Sequence, residues 1–251
     1  MRALLLVFLV SFCLAPQIFG APPMTADADA TFARANADYA AGKFPSAIEG
    51  YESLVKRGQW NPSLFYDLGN AYFRTDDLGR AILNYERALA LDPAQPEARA
   101  NLALLRDRAR ALELQTGWAE EHLDFLTRDQ YTWVAMVAFW VAVTIVAGLY
   151  FAKRRQVVWI FGLFLSGAIA VGAAAAACQL EAGSAGHDLA IVTEKNIEAR
   201  LATAESAGTV LALPQGSEIK ILSTRGNWDY AVLPNDLRGW IPSGSAERVR
   251  L

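Results

Sequence analysis

Cysteine and histidine are scarce in this chain, and their scarcity excludes several kinds of site. Its 251 residues include two cysteines, Cys13 and Cys178, and two histidines, His122 and His187. Both cysteines lie in long apolar runs, so the polar segments contain neither a disulfide framework nor a thiolate metal site. The two histidines are far apart in sequence, which argues against a histidine-based metal or catalytic cluster. We therefore expect no metal and no cofactor.

Strong charge of one sign and catalytic motifs are also missing. The formal net charge is only -3, which gives no reason to expect a nucleic-acid partner. No nucleophile elbow, zinc-binding motif or phosphate-binding loop occurs in the sequence. These observations predict a protein that is not an enzyme.

The N-terminus has the pattern of a secretory signal peptide. Arg2 precedes an apolar stretch from Ala3 to Leu14, and small residues follow at Gly20-Ala21. We predict a signal peptide over residues 1–20. The alternative is an uncleaved membrane anchor, for which the apolar run is short.

Two further apolar runs are each long enough to cross a membrane as a helix. Residues 131–151 and 157–180 contain no charged side chain. The alternative is a buried helical hairpin of a soluble protein, but such helices usually keep a polar stripe, and these runs are apolar on all sides. We predict two transmembrane helices, preceded by a juxtamembrane segment over residues 116–130. That segment is either an interfacial helix or a continuation of the first span.

The short loop between the two spans carries the topological signal. Residues 152–156 contain the consecutive cations Lys153, Arg154 and Arg155. Positive charge concentrates on the cytoplasmic side of membrane proteins, so we expect this loop in the cytoplasm. Both flanking polar segments are then extracytoplasmic, as a cleaved signal peptide also requires. The predicted location is a bacterial inner membrane.

Internal repetition dominates the first polar segment, residues 27–115. The stretch LFYDLGNAYFRTDDLGRAILNYERALALDP, residues 64–93, resembles the tetratricopeptide repeat. A degenerate copy precedes it, with Ala47 and Tyr51 lying 34 residues before Ala81 and Tyr85. The resemblance implies two helix–turn–helix repeats, and a further amphipathic helix resembles a cap. The matching positions of the central copy are Phe65, Leu68, Gly69, Tyr72, Ala81, Tyr85, Ala88 and Pro93.

The resemblance also predicts which residues line the inner, concave face of the array, where we expect protein or peptide binding. The alternative is a face used only for packing within the chain. Asn70 and Asn101 occupy positions that related repeats use to clamp a carboxylate, but those repeats need a lysine where Tyr66 stands. The basic face of the last helix, with Arg99, Arg106, Arg108 and Arg110, is predicted to be solvated. The predicted binding residues are Ser63, Tyr66, Asn70, Phe73, Arg74 and Asn101.

The C-terminal segment, residues 188–251, changes to the two-residue period of β-strands. Polar turns separate short alternating stretches such as EIKIL and WDYAVL. The run ALPQGSEIKILSTRGNWDYAVLPNDLRGWIP resembles a bacterial SH3-type domain, which implies a small all-β barrel. Trp228, Tyr230 and Trp240 are candidates to line a ligand groove. For at least one of the two tryptophans we favour a place in the core over a place in the groove.

The order of the segments is more specific than any one of them. A signal peptide, an all-α repeat array, a two-helix transmembrane hairpin and a small SH3-like barrel follow one another. This order resembles the BatE family of membrane proteins from bacterial aerotolerance (Bat) operons. The resemblance implies partners among membrane proteins with von Willebrand A domains and, indirectly, a MoxR-type ATPase. We expect a non-enzymatic scaffold in the envelope. The alternative is a wall-binding or sensing protein whose barrel holds peptidoglycan peptides.

Overall fold

The computed structural model describes residues 26–115, 128–152, 157–182 and 188–250. The predicted signal peptide, most of the juxtamembrane segment and the three cations of the basic loop lie outside these ranges. The first described range forms an array of helices. The next two ranges form a pair of long apolar helices, and the last forms a sheet.

The array consists of five helices that pack in sequence order. Polar caps and prolines set where they begin. Asn61 precedes Pro62, the first residue of a helix, and its side chain accepts a hydrogen bond from the Leu64 N–H at 2.7 Å. Asp77 caps the next helix, and its side chain accepts a hydrogen bond from the Arg80 N–H at 3.1 Å. The helices are α1 (Ala26–Ala40), α2 (Phe44–Lys56), α3 (Pro62–Arg74), α4 (Leu78–Leu91) and α5 (Pro96–Ala109).

Small residues allow the helices to approach each other closely. A Cβ atom at Gly69 of α3 would lie 2.9 Å from the ring of Tyr85 on α4. A Cβ atom at Gly50 of α2 would likewise lie 2.9 Å from the Cβ atom of Ala35 on α1. The glycine and alanine positions of the repeat are therefore explained by close packing between neighbouring helices.

The last helix of the array ends at a sharp change of backbone direction. Helix α5 ends at Ala109, and Arg110 follows in a left-handed conformation with φ of 53°. The chain then leaves the helix axis, and Leu112 packs against the core of the sheet instead of the array.

Two apolar helices follow, α6 (Arg128–Ala152) and α7 (Val157–Ala182). Each contains a stretch long and apolar enough to cross a membrane, Gln130–Tyr150 and Val157–Gln179. They pack against each other around Tyr131, Ala173 and Ala176. Most of their large side chains remain exposed, which suits a surface that faces lipid.

The C-terminal range forms one antiparallel sheet of seven strands in the order β3-β2-β6-β5-β4-β1-β7. The terminal strands, β3 and β7, do not pair with each other in the described sheet, so the sheet is open. The closed SH3-like barrel expected from the sequence is therefore not observed. The strands are β1 (Leu189–Val192), β2 (Ile197–Arg200), β3 (Thr209–Leu213), β4 (Glu218–Arg225), β5 (Trp228–Val232), β6 (Arg238–Pro242) and β7 (Ala246–Arg248).

The repeat array and the sheet share a buried core, although the two apolar helices separate them in sequence. Leu189, Ile191 and Val249 of the sheet segment pack within the hydrophobic core of the array. Leu112 extends the contact through its backbone, since its N–H donates to Ser217 Oγ at 3.0 Å and its carbonyl accepts from the Glu218 N–H at 2.8 Å.

Two glycines bring the array and the sheet into backbone-level contact. A Cβ atom at Gly79 of α4 would lie 2.7 Å from the carbonyl oxygen of Thr193. A Cβ atom at Gly216, which has φ of +85°, would overlap the Cδ1 atom of Ile82. Gly79 leaves no room for a side chain against the Thr193 backbone, and the positive φ of Gly216 favours glycine there, so the fit depends on glycine on both sides of the contact.

Candidate functional site

Three of the predicted concave-face residues form one polar cluster. The Asn101 Nδ2 atom lies 3.3 Å from Asn70 Oδ1, 3.5 Å from the Tyr66 hydroxyl and 3.4 Å from the Tyr85 hydroxyl. The Tyr85 hydroxyl donates to Asn70 Oδ1 at 2.7 Å. This cluster joins α3, α4 and α5. Tyr66, Asn70 and Asn101 are partly exposed, whereas Tyr85 is buried.

The same tyrosine–asparagine contact occurs twice in the array. The Tyr51 hydroxyl donates to Asn36 Oδ1 at 2.6 Å, and each of these residues lies 34 positions before its counterpart in the pair Tyr85 and Asn70. Burial raises the pKa of both tyrosines, so their hydroxyls remain protonated donors. Sequence reasoning missed this pair, although the 34-residue spacing was a signal that could have revealed it.

The other predicted concave-face residues lie apart from the polar cluster. The Arg74 guanidinium lies 4.7 Å above the centroid of the Phe44 ring, and that of Arg108 lies 5.5 Å from the centroid of Phe73. Ser63 is exposed at the start of α3. The six predicted residues are thus divided between a hydrogen-bonded cluster, two cation–aromatic contacts and one exposed serine.

A charge cluster links the array to the sheet, and it corrects one expectation. Arg106 was predicted to be solvated, but its side chain is only 20% exposed. One of its terminal nitrogens lies 2.5 Å from Glu86 on α4 and also contacts Glu218 on β4. The other lies 3.4 Å from Glu113. Arg106 therefore joins two helices and the sheet.

Burial dominates the electrostatics of this charge cluster. It raises the pKa of Glu86 to about 7; Arg106 lowers this pKa, and Glu218 and Glu113 raise it further. One guanidinium faces three carboxylates here, so protonation of Glu86 relieves both desolvation and repulsion.

A second contact between the array and the sheet involves Arg87, which is almost completely buried. Its Nη2 atom donates to the carbonyl oxygen of Arg248 at 2.9 Å and lies 3.4 Å from Glu247. Arg80 approaches the same carboxylate at 3.9 Å. The sequence carried no pairing signal for these contacts, because the partners are about 160 residues apart.

The three predicted aromatic residues of the sheet lie on its outer face. Tyr230 and Trp240 are directly opposite each other on β5 and β6, with ring centroids 4.9 Å apart. Trp228 and both of these residues are partly exposed, whereas Ala231 and Ile241 fill the core. The prediction that at least one of the tryptophans is in the core is wrong, because both are partly exposed and neither belongs to the buried core of the sheet.

Next to Trp228 the sheet has an open cleft of about 800 Å³. Asn196, Glu198, Arg200, Asn227 and Pro242 contribute to its walls. Within the described ranges, no group of three or more histidine, cysteine, aspartate or glutamate side chains is placed to hold a metal ion. The groups present on both surfaces are suited to hydrogen bonding and aromatic contact.

Paired antiparallel helices with a 34-residue period define a helical-repeat protein. A family model described as Tetratricopeptide repeat matches residues 32–96 and again residues 66–128. The two matches begin 34 residues apart, which equals the spacing of the tyrosine–asparagine pairs. No curated protein matches the chain. The chain thus contains tetratricopeptide repeats, which generally mediate protein–protein interactions and generally belong to non-enzymatic scaffolds.

Proposed function

We propose that this protein is a non-enzymatic adaptor that binds partner proteins at the extracytoplasmic face of a bacterial inner membrane. Its segment order resembles that of BatE proteins, and this resemblance supports a role in an aerotolerance or stress complex of the Bat type. Membrane proteins with von Willebrand A domains are the proposed direct partners. A MoxR-type ATPase is the proposed indirect partner.

The observation that supports this proposal most directly is a difference between two sides of the repeat array: one side contacts the sheet, and the other is open to solvent. The sheet packs on one side, where it contacts Gly79, Ile82, Arg87 and Arg106. The cluster around Asn70 takes no part in those contacts and stays open to solvent. Packing against the sheet therefore does not cover that cluster, and a partner segment is the occupant that we propose.

The contact between the array and the sheet also supports the proposed topology. Residues 26–115 and 188–250 share a hydrophobic core, so both must lie on the same side of the membrane if the helices between them cross it. An even number of crossings satisfies this condition, and two candidate spans lie between the two segments. The basic loop over residues 152–156 favours the extracytoplasmic side for both.

The test is reconstitution of the full chain in nanodiscs with the soluble von Willebrand A domain of a neighbouring membrane protein. Tyr66→Ala removes an aromatic group from the open cluster, and we expect it to weaken binding at least about tenfold, as loss of a binding hot spot does. The matched control is Leu91→Ala, which shortens an exposed apolar side chain at the end of α4.

We expect Leu91→Ala to bind as the unaltered chain does, and both variants to keep its circular dichroism spectrum. Equal binding by Tyr66→Ala and the unaltered chain would contradict the proposed role of the concave face. Failure of the unaltered chain to bind any such domain would contradict the proposed partner class.

The outer face of the sheet favours a second candidate function. Trp228, Tyr230 and Trp240 form an exposed aromatic row beside an open cleft, a surface that suits an extended peptide. The candidate ligand is a stem peptide of peptidoglycan, held by an SH3-type domain. In a sedimentation assay of the full chain with purified sacculi, this function predicts saturable binding that Trp228→Ala abolishes and Leu222→Ala, an exposed control on β4, leaves intact.

A further inference from the structure

A cavity of about 210 Å³ lies where the repeat array meets the edge of the sheet. Helices α2, α3 and α4 form most of its wall, and Glu247 on β7 contributes from the sheet. No residue of the polar cluster around Asn70 lines it. Pockets for drug-sized ligands are larger, about 300–1,000 Å³, so this cavity suits a group of the size of one side chain.

Two buried polar side chains line this cavity, and each has an atom without a hydrogen-bond partner. Asn84 is 2% exposed and Arg87 is 7% exposed. Asn84 donates through Nδ2 to the carbonyl oxygen of Arg80 at 2.8 Å, but its Oδ1 atom has no partner in the described part of the chain. Arg87 donates through Nη2 to the carbonyl oxygen of Arg248 at 2.9 Å, but its Nε–H is also unpaired there. One buried acceptor and one buried donor are thus unsatisfied, and each destabilises the fold.

The ionic groups around the cavity already pair with one another. Each of its three cations lies close to a carboxylate, so the described site has no excess charge that would attract an ion. The pairs are Lys56 with Glu52 at 3.4 Å, Arg80 with Asp77 at 2.8 Å, and Arg87 with Glu247 at 3.4 Å.

Apolar side chains complete the wall. Val55, Leu68 and Leu83 line the cavity, and Leu68 and Leu83 belong to the buried core of the array. Such a surface favours a ligand with a short apolar chain, because burial of that chain removes apolar area from water. The cavity therefore suits a neutral ligand with an apolar body and a head group that both donates and accepts hydrogen bonds.

We propose that this cavity binds a primary carboxamide on a short apolar chain, either a free small molecule or the glutamine side chain of a partner. The carboxamide oxygen accepts from Arg87 Nε–H, and its N–H donates to Asn84 Oδ1. Asn84 and Arg87 are three residues apart on α4, which puts their Cβ atoms about 5–6 Å apart. A group whose donor and acceptor are separate atoms spans that interval better than a single hydroxyl oxygen does.

Charged head groups satisfy only one of the two atoms. A carboxylate has no proton to donate to Asn84, and an ammonium group has no lone pair to accept from Arg87. The proposal does not depend on the adaptor function, because the cavity lies on the side of the array that contacts the sheet.

The experiment measures binding of small probes to the full chain in nanodiscs of zwitterionic lipid by saturation-transfer NMR. The probes are butyramide, butyrate and butylammonium, which share a four-carbon chain and differ in the head group. We expect butyramide to bind at least about tenfold tighter than either ion, because a buried polar group that is left unpaired lowers affinity by about this factor or more.

A blocked serine–glutamine–serine peptide with an N-methylamide end distinguishes the two sources of the carboxamide. If it binds at least as tightly as butyramide, the site takes a glutamine of a partner. If butyramide binds and the peptide does not, the site takes a free small molecule.

Asn84→Leu keeps a side chain of similar size and removes the unpaired acceptor, so we expect butyramide to lose at least about tenfold in affinity and its preference over butyrate to disappear. The matched control is Gln59→Leu, which removes an amide from the loop after α2, outside the cavity wall. We expect this control to keep the affinity and the preference of the unaltered chain.

Two results would overturn the proposal. One is an unaltered chain that does not bind butyramide or that binds all three probes equally, since water would then be sufficient to satisfy the two atoms. The other is an Asn84→Leu variant that keeps the preference for butyramide. Because the comparison of the three probes needs no substitution, a folding defect in Asn84→Leu would not prevent the test.

Discussion

At the scale of single residues, Glu86 couples the contact between the array and the sheet to pH. Burial raises its pKa to about 7 from an ordinary value of 4.5. A carboxyl group whose pKa is raised in the folded state stabilises that state when it is protonated. Its contribution is therefore complete below about pH 4.5 and is lost as the pH rises through about 7. Asp67 acts in the same direction, over a lower range that ends near 6.

We predict that Glu86→Gln reduces this pH dependence. The melting temperature of the unaltered full chain should fall as the pH is raised from 5 to 8, because a buried carboxylate becomes charged. The melting temperature of Glu86→Gln, measured by differential scanning fluorimetry in detergent, should fall by substantially less over the same pH range. Glu49→Gln, an exposed position on α2, is the matched control and should follow the unaltered chain. Parallel pH profiles for Glu86→Gln and the unaltered chain would show that Glu86 does not titrate in this range.

At the scale of helices and strands, two glycines of the central repeat have different tasks. Gly69 lets α3 approach α4, since an added Cβ would meet the Tyr85 ring at 2.9 Å. Gly79 lets α4 approach the sheet, since an added Cβ would meet the backbone of Thr193 at 2.7 Å. Overpacking at either position should cost about 1–3 kcal/mol, offset in part by the higher helix propensity of alanine, about 1 kcal/mol.

Gly69→Ala and Gly79→Ala should therefore lower the stability of the fold to a similar extent. They should change different distances, between α3 and α4 in the first variant and between α4 and the sheet in the second. Spin labels at Leu91 on α4 and Ser223 on β4, both exposed, would report the separation of α4 from the sheet in a chain with Cys13→Ala and Cys178→Ala. We expect Gly79→Ala to broaden or lengthen this distance distribution and Gly69→Ala to preserve it. An unchanged distribution in Gly79→Ala would mean that the sheet is held by other contacts.

At the scale of the whole molecule, the array and the sheet share one hydrophobic core, although two apolar helices lie between them in the sequence. Cysteines at Ser46 and Ser223 should both react with a membrane-impermeant thiol reagent in cells with a permeabilised outer barrier. A cysteine at Gln156 in the basic loop should react only after the inner membrane is opened. Labelling of only one of the first two sites would contradict the two-span topology, because the packed segments cannot lie on opposite sides.

The shared core also changes what truncation is expected to do. Removal of residues 188–251 would take Leu189, Ile191 and Val249 out of the core of the array and expose Ile82, which Gly216 contacts. We expect the shortened chain to unfold at a lower temperature than the full chain. A fragment that contains only the array is thus an unsuitable substitute for the full chain in binding experiments.

Local patterns in the sequence were sufficient to predict the helical repeats, the apolar helices and the strands. The period of 34 residues, together with small residues at Gly69 and Ala81, specified the helical repeats, because close helix packing needs those residue types at that spacing. Length and the absence of charge were sufficient to predict the two apolar helices. The alternation in β4 and β5 predicted strands, and it placed Trp228 and Tyr230 on one face.

The contacts between these parts could be seen only in the folded chain. Arg106 looked solvated because its partner Glu218 is 112 residues away along the chain, and no local period records such a pairing. The open sheet follows from strand partners that sequence alternation does not specify, since the same pattern fits an open or a closed sheet. Arg87 gave no sign in the sequence that it would be buried, because its partners Glu247 and Arg248 are about 160 residues away along the chain. The physical reason is common to all three cases: charge pairing and burial depend on distances in space, whereas the sequence fixes only distances along the chain.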